Sequence, residues 1–133
     1  MVILVYEVNC MYLRRKIDAY LKKWKKSEER KPLIIKGARQ IGKTESIRKF
    51  AEENYTSFIE INFVEEPKYC AIIADGYGAN EIVKSISRID PQKQFIPEET
   101  LIFFDELQEF PEIATSLKFF AQDGRFDIIC SGS

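Results

Sequence analysis

Two short stretches hold the residue types that chemistry on a polyphosphate requires. The first, Gly37-Ala38-Arg39-Gln40-Ile41-Gly42-Lys43-Thr44, fits the pattern G-x-x-x-x-G-K-[ST]. A loop wrapped around phosphates turns successive backbone N–H groups inward, and glycine is needed where a Cβ would block the approach. Gly37 and Gly42 stand at those places, with Ala38, Arg39, Gln40 and Ile41 between them. Lys43 supplies a point charge for the β- and γ-phosphates, the Thr44 hydroxyl a ligand for Mg²⁺, and a helix starting here aims its positive end at the anion.

The second stretch is the apolar tetrad Leu101-Ile102-Phe103-Phe104 running straight into Asp105-Glu106. A phosphate loop alone only holds a nucleotide. Hydrolysis also needs a carboxylate in the Mg²⁺ shell and a group that orients the attacking water. Asp105 fits the first role, through water, and Glu106 the second, as the residue that positions or deprotonates the nucleophile. The sequence therefore offers Lys43 and Glu106 as catalytic residues, Thr44 and Asp105 as metal ligands, and the octet from Gly37 to Thr44 as the cofactor cradle.

Composition narrows what else the chain does. It has 133 residues, 45% of them hydrophobic, enough for one domain with a real core but crowded for two. There is no histidine, which removes Ser-His-Asp and Cys-His catalysis and leaves base chemistry to carboxylates. Cys10, Cys70 and Cys130 are far apart and lack any C-x-x-C spacing, which argues against a disulfide framework or a zinc site and fits a reducing cytoplasm. Met1-Val2-Ile3-Leu4-Val5 is apolar but far too short to cross a bilayer. The formal net charge is -1, so the whole-chain field makes no case for nucleic acid or anionic lipid.

The elements that must position the two motifs follow from periodicity. Leu13, Ile17, Tyr20, Leu21 and Trp24 give a helix with one apolar face, and Arg14, Arg15, Lys16, Lys22, Lys23, Lys25 and Lys26 give it a basic one. That basic face is read as a solvated surface, because Trp24 falls on the core side and is not placed to stack on bases. Leu33-Ile34-Ile35 reads as a first core strand, 43–54 as a helix carrying Ile47, Phe50 and Ala51 inward, and 57–63 as a strand. Residues 65–89 read as two helices broken at Asp75-Gly76-Tyr77-Gly78, and 91–97 as a loop. A helix entered at Pro111 and stopped at Gly124 precedes a last strand, 126–130, which leads into Ser131-Gly132-Ser133.

Strands alternating with helices predict an α/β fold: a mostly parallel sheet with helices on both faces, in three layers. Ligands in such sheets bind beyond the carboxyl ends of the strands, where both motifs fall. No Asn-Lys-x-Asp or Thr-Lys-x-Asp is present to read guanine, which favours ATP. A small-molecule kinase seldom pairs such a loop with an apolar strand ending in Asp-Glu, so metal-assisted hydrolysis is the better fit.

The segments 30–44, 58–63, 100–108 and 117–120 together resemble the prokaryotic AAA-type P-loop ATPases of poorly defined role, with Gly37–Thr44 as the Walker A motif and Leu101–Gln108 as Walker B. The likeness covers nearly the whole chain. It implies a P-loop NTPase core at 32–133 preceded by an N-terminal helical extension at 1–31, with ATP and Mg²⁺ as cofactors. It makes 126–130 the strand between the P-loop strand and the Asp105 strand, and it puts a polar sensor residue at its end, for which Ser131 or Ser133 is the match beside the plain reading of a strand-ending turn. Gln108 fits the family's Asp-Glu-x-Gln pattern, with no chemical role attached. Members continue into a fifth core strand, a helical lid and a C-terminal domain, so the chain resembles an N-terminal piece whose P-loop strand is expected to have one unpaired flank.

The reading is thus an ATPase domain coupled to a protein partner, to self-association or to a further domain. Its competitors are a regulatory module that binds nucleotide without turning it over, and a nucleic-acid-binding module working through the basic helix.

Overall fold

The computed structural model describes residues 2–6, 10–28, 30–37 and 42–132, with 2–6 and 10–15 as backbone alone. The elements are β1 (Val2–Tyr6), α1 (Cys10–Lys26), β2 (Leu33–Gly37), α2 (Lys43–Asn54), β3 (Ser57–Asn62), α3 (Ala79–Ile89), β4 (Thr100–Asp105), α4 (Leu117–Asp123) and β5 (Asp127–Gly132). The five strands form one parallel sheet in the order β1-β2-β5-β4-β3. The strand ending at Cys130 in the sequence reading continues to Gly132 and lies between β2 and β4, as the resemblance implied.

The period of two along each strand divides the core. Leu33 and Ile35 of β2, Leu101 and Phe103 of β4 and Ile129 of β5 pack with Ile17, Leu21 and Trp24 of α1 and Ile47, Phe50 and Ala51 of α2. Their neighbours Ile34, Ile102, Phe104, Ile128 and Cys130 point the other way, toward Ile82 and Ile86 of α3 and Leu117 and Phe120 of α4. All six residues of β4 are buried, which explains its unbroken apolar run. The result is three layers, helix pair on sheet on helix pair.

One flank departs from the expectation. β2 has no unpaired edge: β1 lies parallel to it in a register running from Val2 beside Leu33 to Tyr6 beside Gly37. The sequence reading has Met1 to Val5 only as an apolar start and 1–31 as a helical extension, but the segment supplies both a strand of the sheet, Val2–Tyr6, and a helix, Cys10–Lys26. A parallel neighbour requires a crossover of about a dozen residues or more, and the 17-residue α1 provides it. Two expected α-helices are also partly 3₁₀. Pro67–Ala71 is a single 3₁₀ segment, and the helix entered at Pro111 runs as 3₁₀ through Ser116 before α4 begins. Gly124, at φ 73, ends α4 as expected.

Opposite the P-loop end of the sheet, Asp127 at the start of β5 ties the layers together. Its Oδ2 accepts from Arg30 Nε at 2.8 Å and from Tyr55 Oη at 2.5 Å. Trp24 Nε1 donates to the Lys31 carbonyl at 3.0 Å, so α1 is anchored to the connector that feeds β2.

Candidate nucleotide-binding site

Three strand ends and one helix start converge at the carboxyl edge of the sheet. β2 delivers Gly37, β5 delivers Ser131 and Gly132, β4 delivers Asp105, and α2 begins at Lys43. Gly42, at φ 78 and ψ 18, occupies the left-handed region that only glycine enters without strain, so the chain turns sharply into α2 at this point. Glycine in this place has no side chain to cap the helix, which leaves first-turn N–H groups to a ligand.

Lys43 is the first residue of α2 and is only 5% exposed. Its Nζ donates to the Gly37 carbonyl at 2.5 Å and to the Gly132 carbonyl at 2.9 Å, so the ammonium rests between the ends of β2 and β5. Buried cations need such partners. Thr44 Oγ1 donates to Asp105 Oδ2 at 3.2 Å. The other oxygen, Oδ1, accepts from Ser131 Oγ at 2.7 Å and from the Glu106 N–H at 2.8 Å. Asp105, 4% exposed, is therefore held by the helix, by the intervening strand and by its own chain.

Glu106 follows in a left-handed conformation, φ 60 and ψ 47, and its carboxylate turns back to accept from Gln108 Nε2 at 2.5 Å. Glu106 lines an open cleft of about 290 Å³ together with Lys43, Thr44, Asn62, Val64 and Glu65. A larger recess of about 510 Å³, lined by Tyr20, Lys23, Trp24, Lys26 and Arg30, lies beside α1. Volume does not identify the site here; the convergence of a cation, a hydroxyl and two carboxylates does.

Several residues in or beside the cleft were given no part in it by the sequence reading. Asn62 pairs in register with Asp105, and its Oδ1 accepts from the Val64 and Glu65 N–H groups, bending the chain past the cleft. The only signal for it was its place at the end of an alternating strand. Arg48, one turn into α2, makes a two-pronged bond to Glu60 of β3, with Nε and Nη2 each 2.7 Å from a carboxylate oxygen. That hydrogen-bonded carboxylate holds the Arg48 guanidinium above its already high ordinary value. The pair clamps α2 to the sheet beside the site. Gly132, too, was passed over as part of a terminal turn, although its carbonyl is one of the two that hold Lys43.

The structure thus brings together Gly37, Gly42, Lys43, Thr44, Asp105, Glu106 and Ser131. Ala38, Arg39, Gln40, Ile41 and Ser133 lie outside the described residues. Of the two candidates for the polar residue at the end of β5, Ser131 is the one seen on Asp105. Among the described residues no helix is long and apolar enough to cross a membrane.

A family model described as an AAA domain matches residues 29–133. A search of curated proteins finds no match. Among solved structures, that of C. elegans PCH-2 aligns with a TM-score of 0.47 and 11% identity, over 91% of this chain and 36% of that one. Because the domain match runs from the connector before β2 through β5, and so includes every residue of the convergence at Asp105, the chain belongs to the AAA-domain family of P-loop ATPases.

Proposed function

We propose that the domain binds Mg-ATP through Gly37 to Thr44, hydrolyses it with Asp105 and Glu106, and passes the change to a protein partner or a further domain. The observation that carries this is the bond between Thr44 Oγ1 and Asp105 Oδ2. Two motifs 61 residues apart in sequence meet there, oxygen to oxygen. A hydroxyl and a carboxylate are the hard donors that suit Mg²⁺, so the residues present fit the ion. When bound, the metal would neutralise charge on the β- and γ-phosphates.

The chain's own residues account for the rest. Lys43 trades the Gly37 and Gly132 carbonyls for phosphate oxygens, an exchange that keeps the ammonium partnered throughout. Ser131 keeps Asp105 turned toward Thr44. Glu106, on the cleft wall, orients a water and takes its proton. Without the side-chain set that reads guanine, adenine is the base favoured. Three cysteines without paired spacing suit a reducing cytoplasm, and 1–31 precedes the 32–133 core as the segment that covers the flank of its β2 strand.

The test is nucleotide binding by calorimetry and phosphate release by the purified chain. Lys43→Ala should abolish binding. Glu106→Gln should keep binding and lose turnover by 100-fold or more, on the order expected for a general base. Full turnover in Glu106→Gln would remove Glu106 from the mechanism, and binding without turnover in the native chain would favour a regulatory module instead.

A further inference from the structure

Gln108 was the one motif residue left without a role, and the geometry gives it one. A carboxylate only accepts hydrogen bonds, so the amide group that meets Glu106 Oε2 must be the Nε2 end, which places Gln108 Oε1 on the opposite side. On that side lies Gly132. A Cβ built there would stand 2.8 Å from Gln108 Oε1, 3.3 Å from Leu107 Cβ and 3.4 Å from the Gln108 backbone nitrogen. Gln108 thus fits between the Glu106 carboxylate and a strand end that has no side chain. The short 3₁₀ turn Leu107–Glu109, entered from the left-handed Glu106, sets its direction.

We propose that Gln108 is a positioning residue: its amide fixes the Glu106 carboxylate at the cleft wall, and the bare backbone of Gly132 is the seat that holds the amide in place. This rests on the ATPase reading and adds a determinant of its rate. Gly132 also carries the carbonyl that accepts from Lys43. One glycine at the end of β5 therefore touches both the phosphate-binding lysine and the support of the water-orienting carboxylate. A change in how Lys43 is engaged is one residue away from the group that holds Glu106.

An exposed amide and carboxylate two residues apart are more commonly a solvated surface pair, and the experiment has to separate the two. Steady-state ATP hydrolysis is measured for the native chain, Gln108→Ala, Gly132→Ala, Glu106→Gln and the double variant Glu106→Gln/Gln108→Ala. A positioning role lowers kcat in Gln108→Ala by roughly 10- to 100-fold, the range spanned by loss of a hydrogen bond to a charged group, with KM and ATP affinity unchanged. Gly132→Ala, which displaces the amide, lowers kcat in the same direction. In the double variant, removal of Gln108 has no further effect, because it acts only through Glu106.

Loss of turnover in Glu106→Gln together with native kcat in Gln108→Ala overturns the inference and leaves the ATPase reading standing. A further loss in the double variant overturns it as well. No turnover in the native chain removes the ATPase reading, and the contact is then read from urea unfolding of Glu106→Ala, Gln108→Ala and their combination. Non-additive midpoints sustain the pair, and additive ones overturn it.

Discussion

Replacing Ser131 by alanine removes a single oxygen from a place with no solvent access, and that makes its consequence calculable. Ser131 is 0% exposed, and its hydroxyl donates at 2.7 Å to a carboxylate that is itself 4% exposed. A hydrogen bond to a charged group contributes about 1.5–3 kcal/mol, and a buried acceptor deprived of its donor bears the desolvation cost. Asp105 keeps two other donors, the Glu106 N–H and Thr44 Oγ1, so the lower end applies, about 1.5–2 kcal/mol. For a chain of 133 residues this corresponds to a fall in Tm of about 5–8 °C, or a urea midpoint lower by about 1 M. The assay is urea unfolding at pH 7 of Ser131→Ala, Thr44→Val and the pair. Thr44→Val should cost less, because its bond is longer, at 3.2 Å, and the residue is half-buried. The double variant should lose more than the sum, because the same carboxylate is stripped twice. A Ser131→Ala change within about 0.5 kcal/mol of the native protein, at unchanged denaturant slope, would refute the claim that Asp105 depends on β5 for its place.

Three further outcomes are expected. Saturating Mg-ATP should raise the unfolding free energy of the native chain, by about 2.7 kcal/mol at a ligand concentration 100 times Kd, and should do nothing for Lys43→Ala; equal shifts in both would put the nucleotide elsewhere. Burial first, and then the hydrogen bond to Asp127, push the Tyr55 phenol well above its ordinary value of 10.0. A folded pKa raised in this way stabilises below pH 10 and is lost as pH climbs past it, so Tyr55→Phe should be less stable at pH 7 by about 1–2 kcal/mol and flatter across pH 9–11, as read by denaturation at each pH. A parallel pH dependence in the two proteins would sink this. Deleting residues 1–6 should bare the β2 edge and produce self-association on size-exclusion chromatography, whereas a monomer of native stability would show that β1 does not protect it.

Where periodicity was long and unambiguous, the sequence carried the fold. The span 43–54 is helical from end to end, because Ile47, Phe50 and Ala51 mark one face and Thr56 to Phe58 begin a β-rich stretch. The split of β4 into two faces was not visible, since five apolar or β-branched residues in a row leave no alternation to read. Residues 2–6 misled for a related reason. Five apolar residues have no period of their own, and what makes them a strand is β2 alongside, more than 25 residues later. Pro111 was read as an ordinary helix start and 65–89 as two helices, but Pro67–Ala71 and Pro111–Ser116 tighten to 3₁₀, a choice between near-equal geometries that apolar spacing does not resolve.

Both motifs were expected at the carboxyl end of one sheet, and the strand ends that carry them lie there; what the sequence did not show is how they are joined, and the sheet order explains why. With β5 between them, β2 and β4 are two strand spacings apart, about 9.5 Å, too far for Gly37 and Asp105 to touch directly. The gap is closed by side chains that reach inward from α2, Lys43 toward the β2 and β5 carbonyls and Thr44 toward the β4 carboxylate. The middle strand between them ends in two small residues. Ser131 has only a hydroxyl, which it spends on Asp105, and Gly132 has no side chain at all. A Cβ added at Gly132 would stand 2.8 Å from Gln108 Oε1 and so push that amide away from Glu106. Ser131-Gly132, open in the sequence between a sensor position and a plain strand-ending turn, is thus where the middle strand meets both sides, the Ser131 hydroxyl on Asp105 and the Gly132 carbonyl on Lys43.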